Sequence, residues 1–511
     1  MRSSYVVCAL ALATVAALSG CAVGPDYRAP KMKLPDGFAA ASGAQPATPA
    51  KAGVDLSRWW HSLNDAQLET LIDRAIQSNT SLEIALTRLQ EARTFETVVA
   101  GHALPYLDAE AAVGRGTGSD VTRGRVAPPL TSASNTAGLQ HINTVYGFDS
   151  AWEIDLFGRY RREAEAAHYD TQALAAARNA VLTAVVADVV RAYLNMRGLQ
   201  TQQAILEQNV RSARKLLELM RARFDRGITN ELDVTLARRQ LATLQAKVAP
   251  LASRISAAQY AIAVLLGQFP EDLARELAKP ELIPQIPDQV DAGLPLDLIR
   301  RRPDVIEAER LLAEATARIG VATAGLFPSL FISAGAGQQV QGLGVTPRVD
   351  KFIWSAGAGA IFSLLDFGTL DALVNIADLR THELLINYKQ TVLLAVQEVD
   401  TAMSSYVSQQ DRLRNLGEAL AASQRALSLA TQRYDRGLTD FLNVVDAERE
   451  QYDLEEQYAT AQVVVGEQFV ALYKGLGGGW EQYQSIPPIR QPQPAIIAAF
   501  RRLLAPEDPL K

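Results

Sequence analysis

Apolar or small residues recur at a 4-3-4-3-4 spacing in two places along the chain, about 210 residues apart. Leu206, Val210, Ala213, Leu217, Met220 and Phe224 form the first ladder; Leu416, Leu420, Ser423, Leu427, Ala430 and Tyr434 form the second. This is the spacing of a coiled-coil seam. Each ladder runs into nearly the same six residues, Phe224-Asp225-Arg226-Gly227-Ile228-Thr229 and Tyr434-Asp435-Arg436-Gly437-Leu438-Thr439. A glycine there suits a left-handed C-cap, and the threonine can cap the next helix. Each ladder therefore predicts a long helix, a tight tip at Gly227 or Gly437, and an antiparallel partner helix. No proline interrupts residues 171–249 or 369–486. As single helices, Thr171 to Phe224 would span about 80 Å and Val374 to Tyr434 about 90 Å.

A second pattern has period two. In residues 142–156, Ile142, Tyr146, Phe148, Trp152, Ile154 and Leu156 share one face, and Asn143, Asp149, Glu153 and Asp155 the other. Residues 352–364 repeat it with Phe352, Trp354, Ala356, Ala358, Ala360, Phe362 and Leu364. Leu107–Val113 and Leu330–Ala336 supply partners, giving β-hairpins at about 104–156 and 327–366. Aromatic-rich alternation of this length fits a transmembrane strand, and equally a soluble hairpin on a sandwich. The strand count constrains the membrane reading. Four strands cannot close a barrel, and an open edge in lipid leaves backbone groups unpaired at several kcal/mol each. Several chains would have to share one barrel, and three chains give twelve strands.

The ends of the chain carry addresses. Residues 1–20 have a basic residue, an apolar run from Tyr5 to Leu18 and then small residues, as a secretory signal does. Leu18-Ser19-Gly20-Cys21 matches the lipobox of bacterial lipoproteins, which makes Cys21 the expected lipid attachment, with N-palmitoyl and S-diacylglycerol groups. An ordinary signal peptide with a chance cysteine is the alternative. Ala22 after the cysteine favours the outer membrane. Cys8 lies in the removed segment, so the mature chain has no cysteine pair to staple it. Pro25, Pro30, Pro35 and the Ala/Pro stretch at 39–52 predict an extended tether over 21–60. Repeat one then covers 61–269, a proline-marked linker 270–302, repeat two 303–475, and a tail 476–511.

Composition excludes more than it adds. A net charge of −6 argues against nucleic acid. No stretch after the signal reads as long and apolar enough for a membrane helix. The five histidines are scattered without metal-ligand spacing, and Gly335-Ala336-Gly337 and Gly357-Ala358-Gly359 lack the Lys-[Ser/Thr] of a phosphate loop. No catalytic residues, metal or soluble cofactor are expected, and the chain does not read as an enzyme.

Taken together, Cys21-Ala22-Val23-Gly24-Pro25-Asp26-Tyr27, Arg301-Arg302-Pro303-Asp304-Val305-Ile306-Glu307-Ala308-Glu309, Ile319-Gly320, Phe327-Pro328-Ser329-Leu330, Asp366-Phe367-Gly368 and both tips resemble the outer-membrane factor family. These are the trimeric lipoprotein channels of tripartite efflux and export systems, and the likeness runs from Cys21 to Gly475. It implies a mainly α fold with a membrane β part: coiled-coil hairpins forming a trimeric α-barrel, and four strands per chain in a shared twelve-stranded β-barrel. It implies a homotrimer in the outer membrane with a periplasmic tunnel. Conduction would be passive, served by a periplasmic adaptor and an inner-membrane pump, with drugs or other small toxic solutes as cargo.

The resemblance also assigns a periplasmic gate. Asp446 matches an acidic ring at the constriction, Tyr434 and Asp233 a pair tying the two hairpins, and Arg433 and Leu442 further gate positions. As plain residues, the acids read equally as solvated helix starts and Tyr434 as a seam position. Asn443 stands where some members carry a second acid, and Leu236 at the place of Asp446 in repeat one excludes a sixfold ring. Arg302-Pro303-Asp304 reads as a helix start, with proline in the first turn. Two other functions fit parts of the chain: the outer-membrane exit of a protein or polysaccharide export system, and a periplasmic adaptor. An adaptor has one hairpin between lipoyl-like β halves, against two hairpins and four strands here.

Overall fold

Helix-period and strand-period segments separate cleanly in the structure, a computed structural model that describes residues 22–35, 37–38, 56–116, 141–287, 301–342 and 349–483. Cys21 and the stretch at 39–52 lie outside the described residues, as does the tail after Tyr483. Two compact units are formed, one from residues 1–33, 91–176 and 304–393, the other from 34–90, 177–303 and 394–511.

The first unit holds a four-stranded antiparallel sheet in the order β1-β2-β3-β4: β1 Tyr106–Gly116, β2 His141–Ile154, β3 Ser329–Gly342 and β4 Val349–Ile361. The two expected hairpins are present, and β2 pairs with β3 to join them, with Trp152 opposite Ile332 and Glu153 opposite Phe331. β1 and β4 are left as edges. Tyr146, Phe148, Trp152, Phe352 and Trp354 are exposed, while Ala151 and Ile353 beside them are buried, so the alternation is realised around those two positions of β2 and β4.

Residues 22–28 are no loose tether. Arg162, whose side chain is 6% exposed, donates to Val23 O at 3.1 Å and Gly24 O at 3.3 Å and pairs with Asp26 at 2.8 Å. Burial lowers its pKa, but Asp26 and Glu165 outweigh burial and hold it above the ordinary arginine value. Tyr27 donates to Glu309.

The chain has twelve described elements between strands and α-helices. The helices are α1 Ala66–Ser78, α2 Thr80–His102, α3 Arg159–Asp225, α4 Glu231–Leu265, α5 Pro270–Ala274, α6 Pro303–Ala324, α7 Thr369–Asp435 and α8 Phe441–Gly475. α3 and α7 are each 67 residues, about 100 Å. Both start earlier than the expected Thr171 and Val374. Each follows a Phe-Gly step whose glycine has φ +80°, at Gly158 and Gly368, a conformation open to glycine that lets the chain turn straight from strand into helix. Asp366 accepts from Gly368 N and Leu370 N, and these bonds hold its carboxyl below the usual range. α6 begins at Pro303, as its sequence implies.

The main apolar core of the described residues lies in the second unit. Trp59 and Trp60, assigned above to the tether, are 1% and 2% exposed there; Trp59 stacks on Tyr473 at 5.3 Å between centroids. Leu68, Leu71, Leu182, Val186, Val189, Tyr193, Ile262 and Phe469 complete its centre. This core corrects one expectation: α3 and α4 are long and apolar enough, by length and composition, to cross a membrane. Most of the α3 run from Leu182 to Met196 is buried in this core, which accounts for its apolar character. α4 also continues through Pro250, beyond the proline-free stretch; its first turn and last turn are anchored on either side. The described part of the linker opens with α5 at Pro270.

Candidate periplasmic gate

Both helical hairpins turn by the same local physics. Gly227 and Gly437 have φ +71° and +69°. Nothing lies within 4 Å of where a Cβ would stand, so the left-handed backbone alone calls for glycine. Ile228 N donates to Arg223 O and Leu438 N to Arg433 O, each at 2.9 Å, satisfying carbonyls the helix end would orphan. The threonines do not cap. α4 is capped by Asn230, whose side chain accepts from Asp233 N at 3.0 Å. Thr229 donates to the Asp233 carboxylate, and Thr439 Oγ1 accepts from Asn443 Nδ2 at 2.6 Å. Each threonine braces a side chain one turn into the returning helix.

Behind the tips the hairpins share a small core of Leu217, Met220, Val234, Ala237, Phe441, Val444 and Val445. Tyr434 packs against it. Its ring lies 5.3 Å from Phe441, its hydroxyl donates to Met220 Sδ at 3.5 Å, and the Arg223 guanidinium sits 5.2 Å from its ring centre. Arg223 Nη2 also meets Asp435 at 3.0 Å. Burial lowers the Arg223 pKa, and the bonds to Asp435 and Tyr434 more than restore it.

Within one chain, then, Tyr434 is tied to the other hairpin through Arg223 and Met220. Asp233 is occupied by Thr229 and its own helix start. Arg433, Leu442 and Asp446 are exposed; Leu442 and Asp446 stand one turn apart on the outer face of α8, with Asn443 and Arg449 beside them. Arg223 and Asp435 did not emerge from the sequence as site residues, although both lie in or next to the duplicated tip motif. Glu448 was also missed. It is 9% exposed on the inner face of α8, its Oε2 has no hydrogen-bond partner among the described residues, and burial pushes its carboxyl up to about 7.

The family model for outer membrane efflux proteins matches residues 71–268 and 294–478. The chain belongs to that family. Nodulation protein T of Rhizobium leguminosarum bv. trifolii is 29% identical over 467 residues, 91% of this chain and 95% of the relative. The cation efflux system protein CusC of Escherichia coli (strain K12) is 27% identical over 469 residues, 91% of this chain and 97% of CusC. The solved outer-membrane channel OprN superposes with a TM-score of 0.78 at 35% identity, covering 90% of this chain and all of that one. The protein is an outer-membrane channel of this family, with the mainly helical fold and small sheet that its relatives have.

Proposed function

We propose that three copies of the protein form the outer-membrane duct of a tripartite efflux pump, conducting drugs or other small toxic solutes passively from a periplasmic adaptor and an inner-membrane pump to the exterior. The sheet carries this reading. Strands of 11 to 14 residues are of membrane length, their aromatic residues are exposed, and both edges are open. In lipid such edges must be paired, and pairing β4 of one copy with β1 of the next closes a twelve-stranded barrel. α7 supports it with an exposed apolar row at Leu373, Ile376, Leu379 and Ile386, a face suited to another copy. Relatives named for efflux of cations, antibiotics and toluene favour efflux over macromolecular export. The role is conduction and not catalysis.

Acylation of Cys21 completes the proposal. In its support, Val23 N donates to Phe157 O at 3.1 Å, three residues beyond the end of β2, so the lipid would enter the bilayer beside the strands. Mass determination in mild detergent should give three copies, and deleting the gene should raise cellular accumulation of at least one pump substrate. A stable monomer that retains its full β signal would overturn the shared barrel.

A further inference from the structure

The tip motif is duplicated, yet its ion pair is formed only once within the chain. Arg223 and Arg433 occupy equivalent positions in the two repeats, 210 residues apart, and so do Asp225 and Asp435. Arg223 of the first hairpin meets Asp435 of the second at 3.0 Å. The reciprocal residues, Arg433 and Asp225, are both exposed and have no partner among the described residues. In each hairpin the arginine donates nothing through its side chain to its own turn; its backbone carbonyl closes the tip, which leaves the guanidinium free to reach a neighbouring hairpin.

We propose that Arg433 pairs with Asp225 of the partner subunit, so that the tips are joined by alternating ion pairs, three within chains and three between them. This rests on the trimeric reading above. Closed assemblies of a duplicated unit place first and second hairpins alternately, so each hairpin faces one neighbour in its own chain and one in the next. The contact seen on the first side presents an arginine two residues before an aspartate on both hairpins. Carrying that contact on around the ring brings Arg433 to the first hairpin of the next copy, where Asp225 is the unpaired acid. The gate then draws on both kinds of link, and losing either set shifts the tips toward open.

Two cysteines test the contact directly. In the full-length protein, Arg433→Cys with Asp225→Cys is treated with a short bis-maleimide after mild-detergent mass determination. Covalent dimers and trimers on a denaturing gel are expected, whereas Arg223→Cys with Asp435→Cys should give only internally linked monomer. A trimer that yields no interchain product from the first pair would overturn the inference and leave the trimeric reading standing. A monomer by mass would overturn both. As a second measure, Arg433→Glu should raise single-channel conductance, and adding Asp225→Arg should restore it. Failure of the double exchange to restore conductance would also count against the pair.

Discussion

Arg223 and Asp435, 212 residues apart in the chain, meet at 3.0 Å where the two hairpins come to their tips. The same guanidinium covers the Tyr434 ring, so one side chain makes two links to the second hairpin. Arg223 is 27% and Asp435 52% exposed, which keeps the ion pair at the low end of such interactions. With the cation–π contact the two together contribute about 1 kcal/mol.

Arg223→Gln should therefore shift the tips toward open by about fivefold, at 1.4 kcal/mol per factor of ten. Planar-bilayer recordings would show it as a larger open fraction, and raising the salt concentration should bring the unmodified protein part of the way there. Tyr434→Phe keeps the ring under Arg223 but loses the hydroxyl's bonds to that guanidinium and to Met220 Sδ, so it should open the tips less than Arg223→Gln, which also loses Asp435. A larger effect from Tyr434→Phe than from Arg223→Gln would show that the hydroxyl, not the guanidinium, holds the tips.

The pH response should come from Glu448. Burial raises its pKa to about 7, above the value of an exposed glutamate, so the packed hairpins bind its proton more tightly than the unpacked ones do. Its contribution to packing is complete below about pH 4.5 and is lost as pH rises through 7. One turn on, Tyr452 lines a cavity of about 350 Å³ between α3, α4 and α8, roomy enough to admit water toward the carboxylate once it ionises. Beside that cavity Lys247 meets Glu456 at 3.2 Å and Glu455 accepts from Asn209 at 3.2 Å, while Arg254 stands in its lining. Glu448→Gln should slow amide exchange around 445–452 at about pH 8, with little change at about pH 5, by on the order of 2 kcal/mol. Equal exchange in parent and variant at the higher pH would show that the carboxyl is not strained there.

The N-terminal segment should depend on glycines as well as on Arg162. Gly24 has φ +93°, and a Cβ there would come within 2.4 Å of the Gly320 Cα. Gly24→Ala meets both a backbone and a steric obstacle, together costing about 1–3 kcal/mol. Gly320→Ala would instead strike the Arg162 side chain at 2.8 Å. Either variant should free residues 22–28, read as faster trimming by a nonspecific endoprotease while the sheet stays intact. Unchanged trimming in both would mean that the segment is held by something other than this close approach.

What was legible in the sequence was local. The heptads, the tip glycines and the period-two strands are each set by residues a few places apart, and all appear where the spacing puts them. Helix starts at Arg159 and Thr369 were less visible, because the carboxylates that accept from their first turns, Asp155 and Asp366, stand three or four residues upstream, before a Phe-Gly turn. Trp59 and Trp60 were misassigned to a tether because the prolines before them suggested extension; the ring partners of Trp59, Phe469 and Tyr473, lie some 410 residues downstream. The Arg223–Asp435 contact depends on how two distant hairpins are rotated against each other, which no spacing encodes. The burial of Glu448 is the same kind of fact: its counterpart in repeat one, Arg238, is exposed.

Asp446 bears on the channel as a whole. It projects from the exposed face of α8 one turn after Leu442, which is 49% exposed, and makes no ion pair among the described residues. A carboxylate so placed, beside an apolar side chain and facing away from its own core, gains nothing in a single chain. In a trimer whose α8 faces line the throat, three such carboxylates lie behind three leucines and attract cations into the constriction. Asp446→Asn should then weaken block by divalent cations added on the periplasmic side, and Leu442→Ser should raise conductance without changing that block. Arg449, three residues on, offers the opposite charge on nearly the same face, so Arg449→Gln should strengthen the block. If Asp446→Asn leaves the block unchanged while Arg449→Gln alters it, the cations are held elsewhere in the tunnel and Asp446 is an ordinary solvated residue of α8.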